Sequence, residues 1–313
     1  MIKTDKTDFQ HPDIQKLMSE CTLCPRKCHV NRMNGQTGYC GQGAEAAAAR
    51  AALHFWEEPC ISGQNGSGAV FFSGCNLKCI FCQNHEIATG QTGKPLSLRR
   101  LSEIFLMLQE KGAHNINLVT ATHYIPQVCT AIIQAKSQGL CIPIVYNTSG
   151  YEEVSSLKML EGLVDIYLPD IKYYSPQLSA EYSHAPDYFE KASAALAEMV
   201  RQVGAPVFDA SSGLMKRGVI VRHMILPENT KDSKKILRYL YETHKNDIYV
   251  SIMNQYTPMP QVCSIPVLNR KVTEAEYLRV LHFAEKIGIT QGFYQEGGTS
   301  SESFIPEFDY EGL

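Results

Sequence analysis

Six apolar runs separated by amphipathic stretches limit what this chain can fold into. They lie at 69–72, 116–120, 142–146, 163–168, 219–225 and 248–253. Each is a run rather than an alternation, so each reads as a strand buried on both faces. Between them the apolar period lengthens to that of a helix. Leu98, Leu101, Ile104, Phe105 and Leu108 share one face of a helix at 97–111, stopped by Gly112. Val128, Cys129, Ile132 and Ile133 do the same at 125–138, stopped by Gly139. Further helices are expected at 152–160, 187–203, 233–244 and 274–287, the last with Thr273 and Glu276 as a capping box. Such alternation gives a parallel sheet with right-handed crossovers.

Six strand–helix units suit a doubly wound sheet or an incomplete barrel. The polar residues favour the barrel, because they gather just past the strand ends. Thr120-Ala-Thr122-His123 follows the second run and Asn147-Thr148-Ser149-Gly150 the third. Asp170 and Lys172 follow the fourth, and Asn254-Gln255 the sixth. The Gly-rich stretch 63–68 is not a dinucleotide fingerprint, since it precedes a strand instead of opening a helix. It reads as a flexible entry to the first strand.

The first run ends in Gly-Cys-Asn-Leu-Lys-Cys-Ile-Phe-Cys-Gln-Asn, residues 74–84. Three thiolates, from Cys75, Cys79 and Cys82, can hold an iron–sulfur cube but leave one iron without a protein ligand. An open metal position is where chemistry happens. A closed zinc site would need a fourth ligand, and His85 is the nearest candidate.

The spacing C-x3-C-x2-C, with Phe81 before the last cysteine, resembles the signature of the radical S-adenosylmethionine (SAM) superfamily. The resemblance implies an incomplete (β/α)6 barrel, a [4Fe–4S] cluster on Cys75, Cys79 and Cys82, and SAM bound at the open iron. Reductive cleavage of SAM would then give a 5′-deoxyadenosyl radical that abstracts hydrogen from a substrate. By the same resemblance Phe81 packs on the adenine, and Thr120 and Thr122 stand where the family carries a Gly-Gly-Glu-type segment, absent here. Asn147 and Ser149, with Thr148 and Gly150, occupy the ribose or carboxylate position. The motif Asp170-Ile-Lys172 resembles the Asp-x-Lys of the pyruvate formate-lyase activating enzyme branch, where lysine contacts the SAM carboxylate and aspartate orients it. Arg222, inside a buried strand, needs a partner and resembles that branch's SAM-facing arginine. His123 reads as a structural histidine or a proton carrier, and His223 as structural. The implied partners are SAM, an electron donor such as flavodoxin or ferredoxin, and a substrate that is a glycyl radical enzyme, another protein, a peptide or a small molecule.

A second cysteine set, Cys21, Cys24, Cys28 and Cys40, has the spacing C-x2-C-x3-C-x11-C. Four thiolates can close a tetrahedral site, so this segment is expected to hold structural zinc or an auxiliary iron–sulfur cluster. With little apolar core of its own, it would depend on that metal to fold. The remaining Cys60, Cys129, Cys141 and Cys263 read as small core residues. Eleven cysteines without an export signal suit metal binding in a reducing, cytoplasmic setting better than disulfides. The expected division is a cysteine-rich segment at 1–65, the partial barrel at 66–255 and a C-terminal extension at 256–313. Twenty-nine basic against 32 acidic residues give no reason to propose nucleic acid or an anionic membrane as partner. Two other readings fit the cysteines: an electron-transfer or scaffold protein without SAM turnover, and a zinc-binding structural protein.

Overall fold

A computed structural model describes residues 12–295 and 306–313 of the 313-residue chain. Ten strands run in order: β1 (Ala46–His54), β2 (Ser67–Phe72), β3 (Lys94–Leu96), β4 (Ile116–Val119), β5 (Ile144–Thr148), β6 (Ile166–Pro169), β7 (Val207–Phe208), β8 (Met215–Met224), β9 (Tyr249–Met253) and β10 (Gly292–Tyr294). The helices are α1 (Pro12–Ser19), α2 (Pro59–Ser62), α3 (His85–Ala88), α4 (Leu98–Glu110), α5 (Ile125–Ser137), α6 (Val154–Leu157), α7 (Pro176–Ser183), α8 (Tyr188–Val203), α9 (Thr230–His244) and α10 (Glu274–Ile287).

Strands β2, β4, β5, β6, β8 and β9 pair in parallel in that order, and they are the six expected runs. The sheet is open, so the (β/α)6 barrel is incomplete. Its edges carry three strands that apolar runs did not reveal. The alanine-rich stretch forms β1, antiparallel to β2 and β3, because small side chains let it lie flat under other elements. At the far edge β10 pairs in parallel with β9, where the sequence from Phe293 onward reads as a turn. The rest of that tail, 296–305, lies outside the described residues. Residues 306–313 run beside β1: Tyr310 N donates to Ala49 O at 3.0 Å and Ala51 N to Glu311 O at 2.8 Å. The capping box of α10 is present as expected.

Period-two alternation sorts each strand between two faces. Val70, Phe72, Leu118, Tyr146, Tyr167, Val219 and Val221 pack outward under the helices in the main core. Ala69, Phe71 and Val119 point inward, as do Val145, Ile166, Leu168 and Ile220. Helix α2 sets Cys60 and Ile61 against the last four, so it plugs the N-terminal end of the barrel. Cys60 and Cys129 are buried as expected, but Cys141 and Cys263 are exposed. Cys141 falls in the turn before β5, which begins three residues later, and Cys263 follows a surface 3-10 turn.

Beneath β5 a carboxyl is buried without a cation. Glu152 Oε1 accepts Thr122 Oγ1 at 2.6 Å, Tyr146 OH at 3.4 Å and Thr148 Oγ1, while Oε2 has no partner. Burial pushes its pKa from the ordinary 4.5 up to about 7, against the three hydroxyl donors. A raised folded-state pKa means the folded chain holds a proton that the unfolded chain has released. Stability is therefore expected to fall as pH rises from about 4.5 through about 7. Glu152→Gln should flatten that part of the profile; melting temperatures of both proteins between pH 5 and pH 8 check it, and parallel profiles would refute it.

Candidate active site

The strand ends and the chain leading into α2 enclose a cavity of about 500 Å³, within the range of about 300–1,000 Å³ usual for small-molecule sites. Cys75, Cys79 and Cys82 line one part of it. Phe81, Thr120, Asn147, Ser149, Asp170, Lys172 and Arg222 line it too, together with Thr148. Of the residues expected near SAM, Thr122 and Gly150 do not line it; Gly150 packs against Asp170 O and Thr122 lies elsewhere. Thr122 is buried and bonded to Glu152, because Thr120 takes a left-handed φ of 61° that turns the chain away. A β-branched residue in that region is strained backbone, here at the cavity wall.

The cysteine loop is held from several sides. Gly74, at φ 85°, turns the chain out of β2 where an added Cβ would stand 2.8 Å from Cys40 O. Leu77 N and Lys78 N direct their hydrogens at Cys75 Sγ, at 3.3 and 3.5 Å. Ser183 Oγ donates to Cys79 Sγ at 3.0 Å. Burial pushes the Cys79 thiol up, against the nearby Lys172 charge, and pushes Cys82 up to about 12. Phe81 is buried and edged by Tyr256, Tyr173 and Tyr182 at 6.0, 6.3 and 6.4 Å, which fixes its ring.

In the same lining Lys172 Nζ donates to Asp170 Oδ2 at 2.5 Å. Burial opposes the ammonium charge, and Asp170 more than offsets it, so Lys172 stays protonated. Tyr188 OH ties two strand ends together, its one proton shared between Ser149 O at 2.7 Å and Asp170 O at 2.9 Å. Gly150 sits between them at φ 78°, and an added Cβ would stand 2.2 Å from Asp170 O. Gly150→Ala should cost about 2–5 kcal/mol from the left-handed strain and the forced shift. Urea unfolding of the variant tests this; a loss below about 1 kcal/mol would contradict the packing described.

Arg222 has its partner, and it is a pair. Its Nε donates to Glu58 Oε1 at 2.9 Å, its Nη2 to Glu58 Oε2 at 2.7 Å, and Nη2 also meets Glu57 Oε2. Glu57 Oε1 further accepts Asn117 Nδ2 at 2.7 Å and Asn147 Nδ2 at 3.4 Å. Burial alone would raise the Glu58 pKa, but the guanidinium more than offsets it and holds the carboxyl below its usual range. Both glutamates come from the loop between β1 and α2, a stretch with no recognisable motif. The one signal was the buried arginine itself.

His123 and His223 are held by backbone carbonyls. His123 Nε2 bonds Ser73 O at 2.7 Å and burial lowers its pKa to about 3. His223 Nδ1 bonds Ile171 O at 2.7 Å and burial lowers it to about 4. Neither lines the cavity.

A family model described as the Radical SAM superfamily matches residues 69–240, more than half of the chain. The chain belongs to the radical SAM superfamily. An uncharacterised protein of Methanocaldococcus jannaschii is 25% identical over 296 residues, covering 92% of this chain and 81% of that protein. Among solved structures, Streptococcus suis SuiB bound to S-adenosylmethionine aligns with 72% of this chain at 12% identity and a TM-score of 0.49. The match spans 49% of the SuiB chain. A domain of pyruvate-formate lyase-activating enzyme from Bacteroides vulgatus aligns with 55% of this chain and 92% of its own length, at 11% identity and a TM-score of 0.39.

Radical SAM membership implies a [4Fe–4S] cluster and SAM. The residues fit such a group. Three thiols share one cavity wall, two of them with donors aimed at sulfur, and the facing wall offers polar strand ends. Ser149 Oγ is among the buried atoms left without a partner. Among the described residues no three His, Cys, Asp or Glu side chains gather around a single ion. Thiolates on a cube bind different irons and stand further apart than ligands of one ion.

The second cysteine set packs against this radical SAM loop. Arg26, between Cys24 and Cys28, donates from Nε to Asn76 O at 2.8 Å and from Nη2 to Ser183 O at 2.9 Å. Tyr39 N directs its hydrogen at Cys28 Sγ at 3.3 Å. Burial pushes the Cys24 thiol up to about 12, and the neighbouring Cys40, Cys21 and Cys28 add to it. Among the described residues no helix is long and apolar enough to cross a membrane.

Proposed function

We propose that Cys75, Cys79 and Cys82 ligate a [4Fe–4S] cluster whose open iron takes SAM, and that the chain abstracts hydrogen from a substrate held in the barrel. The observation that carries this reading is the meeting of those three cysteines with Asp170, Lys172, Asn147 and Ser149 around one cavity. When bound, the cluster and SAM supply the electron transfer and C–S cleavage that yield the 5′-deoxyadenosyl radical. The protein's tasks are binding, orientation and exclusion. Lys172, kept charged by Asp170, offers an ammonium to a carboxylate. Asn147 and Ser149 offer short polar groups to hydroxyls. Phe81, fixed by its tyrosine neighbours, offers a flat apolar wall. A primary carbon radical takes hydrogen from whatever C–H is near, so this fixed wall serves selectivity. Burial keeps the metal-free Cys79 and Cys82 thiols protonated, so loading the site releases protons and is favoured by rising pH.

Anaerobic reconstitution and reduction with SAM tests the reading. Formation of 5′-deoxyadenosine supports it; a loaded cluster that never yields 5′-deoxyadenosine would favour an electron carrier or scaffold. The finer reading, activation of a glycyl radical enzyme with electrons from flavodoxin or ferredoxin, rests on the Asp170-Ile-Lys172 likeness. Other protein, peptide and small-molecule substrates fit the same site.

We further propose that Cys21, Cys24, Cys28 and Cys40 hold a second metal group; since no three of these side chains gather around a single ion, an auxiliary cluster fits them better than zinc. Metal analysis of wild type and Cys24→Ser should show that metal lost, together with a lower melting temperature. Equal metal content in the two proteins would refute the site.

A further inference from the structure

The floor of the cavity carries charge that the residues around it do not balance. Glu57 and Glu58 are both 6% exposed in their side chains and share the single guanidinium of Arg222. Asp170 and Lys172 neutralise each other. The remaining basic group on the wall, His54, is held low by burial despite the nearby Glu57. Among the described residues three carboxylates thus face two cations, leaving one negative charge on the cavity floor. A buried uncompensated charge is costly, and a fold that keeps one has room for a cation that arrives with a ligand.

The acid pair reaches from the strand end, where Glu57 accepts from Asn147, into the barrel interior. Glu57 bonds Asn117, which is in register with Ala69, six residues before Cys75. Directly after Glu58, α2 plugs the barrel end. Asn117 is completely buried; its Nδ2 is bound to Glu57, and its Oδ1 is an acceptor with no partner. At the mouth, Phe55, Trp56 and Tyr294 are half-exposed and line the same cavity. Aromatic faces attract ammonium and guanidinium groups.

We propose that the Glu57–Glu58 floor binds a cationic group, an ammonium or guanidinium, on the substrate of this enzyme. This rests on the radical SAM reading of the site and adds the chemical class of what is held beside SAM. The three-thiolate cube carries one negative charge and SAM one positive, so loading both leaves the imbalance in place. The alternative, that the acid pair serves SAM's own cationic groups, makes a different prediction.

The test is calorimetric titration of the reconstituted, SAM-loaded protein with n-butylammonium, n-butylguanidinium, n-butanol and butyrate at matched ionic strength. The two cations should bind about tenfold or more tighter than butanol, the worth of one charge-assisted hydrogen bond. Butyrate should bind no better than butanol. Glu57→Gln should lose the preference for cations. Equal binding of all four probes to wild type, which needs no variant to fold, would overturn the proposal. So would preference for butyrate, persistence of the cation preference in Glu57→Gln, or a cation preference that vanishes on loading SAM. Formation of 5′-deoxyadenosine by the wild-type protein is read separately, so failure of the radical SAM reading is recognised independently.

Discussion

Replacing Cys75, Cys79 and Cys82 together by alanine is expected to strip about four irons and a matching amount of sulfide from the anaerobically reconstituted chain. The same variant should form no 5′-deoxyadenosine. Among the described residues Cys75, Cys79 and Cys82 are the only cysteines in the cavity wall, so no neighbouring thiol can stand in for them. The fold should survive. Metal-free, these are buried or partly buried thiols, and alanine at each position removes one sulfur from a wall that already faces open space. Iron analysis, the charge-transfer absorbance near 400 nm and the nucleoside assay check the three parts separately. A variant that kept the same iron content and still cleaved SAM would place the cluster elsewhere.

Arg222→Ala is expected to produce the largest loss of stability for a single substitution in the barrel interior. It leaves Glu57 and Glu58 buried side by side without a cation. Breaking a buried pair by removing one partner costs about 3–5 kcal/mol, and here one guanidinium serves two carboxylates. Arg222→Lys should recover only part of it, because an ammonium cannot meet both Glu58 oxygens and Glu57 in one plane. The arginine holds the Glu58 carboxyl below its usual range; without it, burial would raise that pKa and Glu58 could protonate. The deficit of the alanine variant should therefore shrink as the pH is lowered from 7 toward 5. Urea midpoints at the two values test this; a deficit under about 1 kcal/mol at pH 7 would show that the pair is not buried as described.

The barrel was legible because its strands are covered on both faces. Val70 and Phe72 outward with Ala69 and Phe71 inward make a solid apolar run. The edge strands were not, for opposite reasons. β1 is built of alanine, whose small side chain carries no strand preference, and its place depends on β2 and on the C-terminal segment beside it. β10 is three residues long and follows β9 through a whole helical crossover. The cysteine loop and the strand ends were readable because their spacing and position are local. Thr122 was misplaced because a left-handed Thr120 sends its side chain out of the cavity, a turn no spacing reveals. Glu57 and Glu58 were invisible for a third reason. Their meaning lies in contacts with Arg222, Asn117 and Asn147, 60 to 165 positions further along the chain.

Chelation of SAM by the open iron is the central claim, and electron–nuclear double resonance on the reduced protein tests it most directly. SAM labelled with 15N in its amino group and 17O in its carboxylate should show hyperfine coupling of both nuclei to the cluster, and the coupling should be absent without Cys75, Cys79 and Cys82. A reduced cluster whose spectrum is unchanged by labelled SAM would contradict the account.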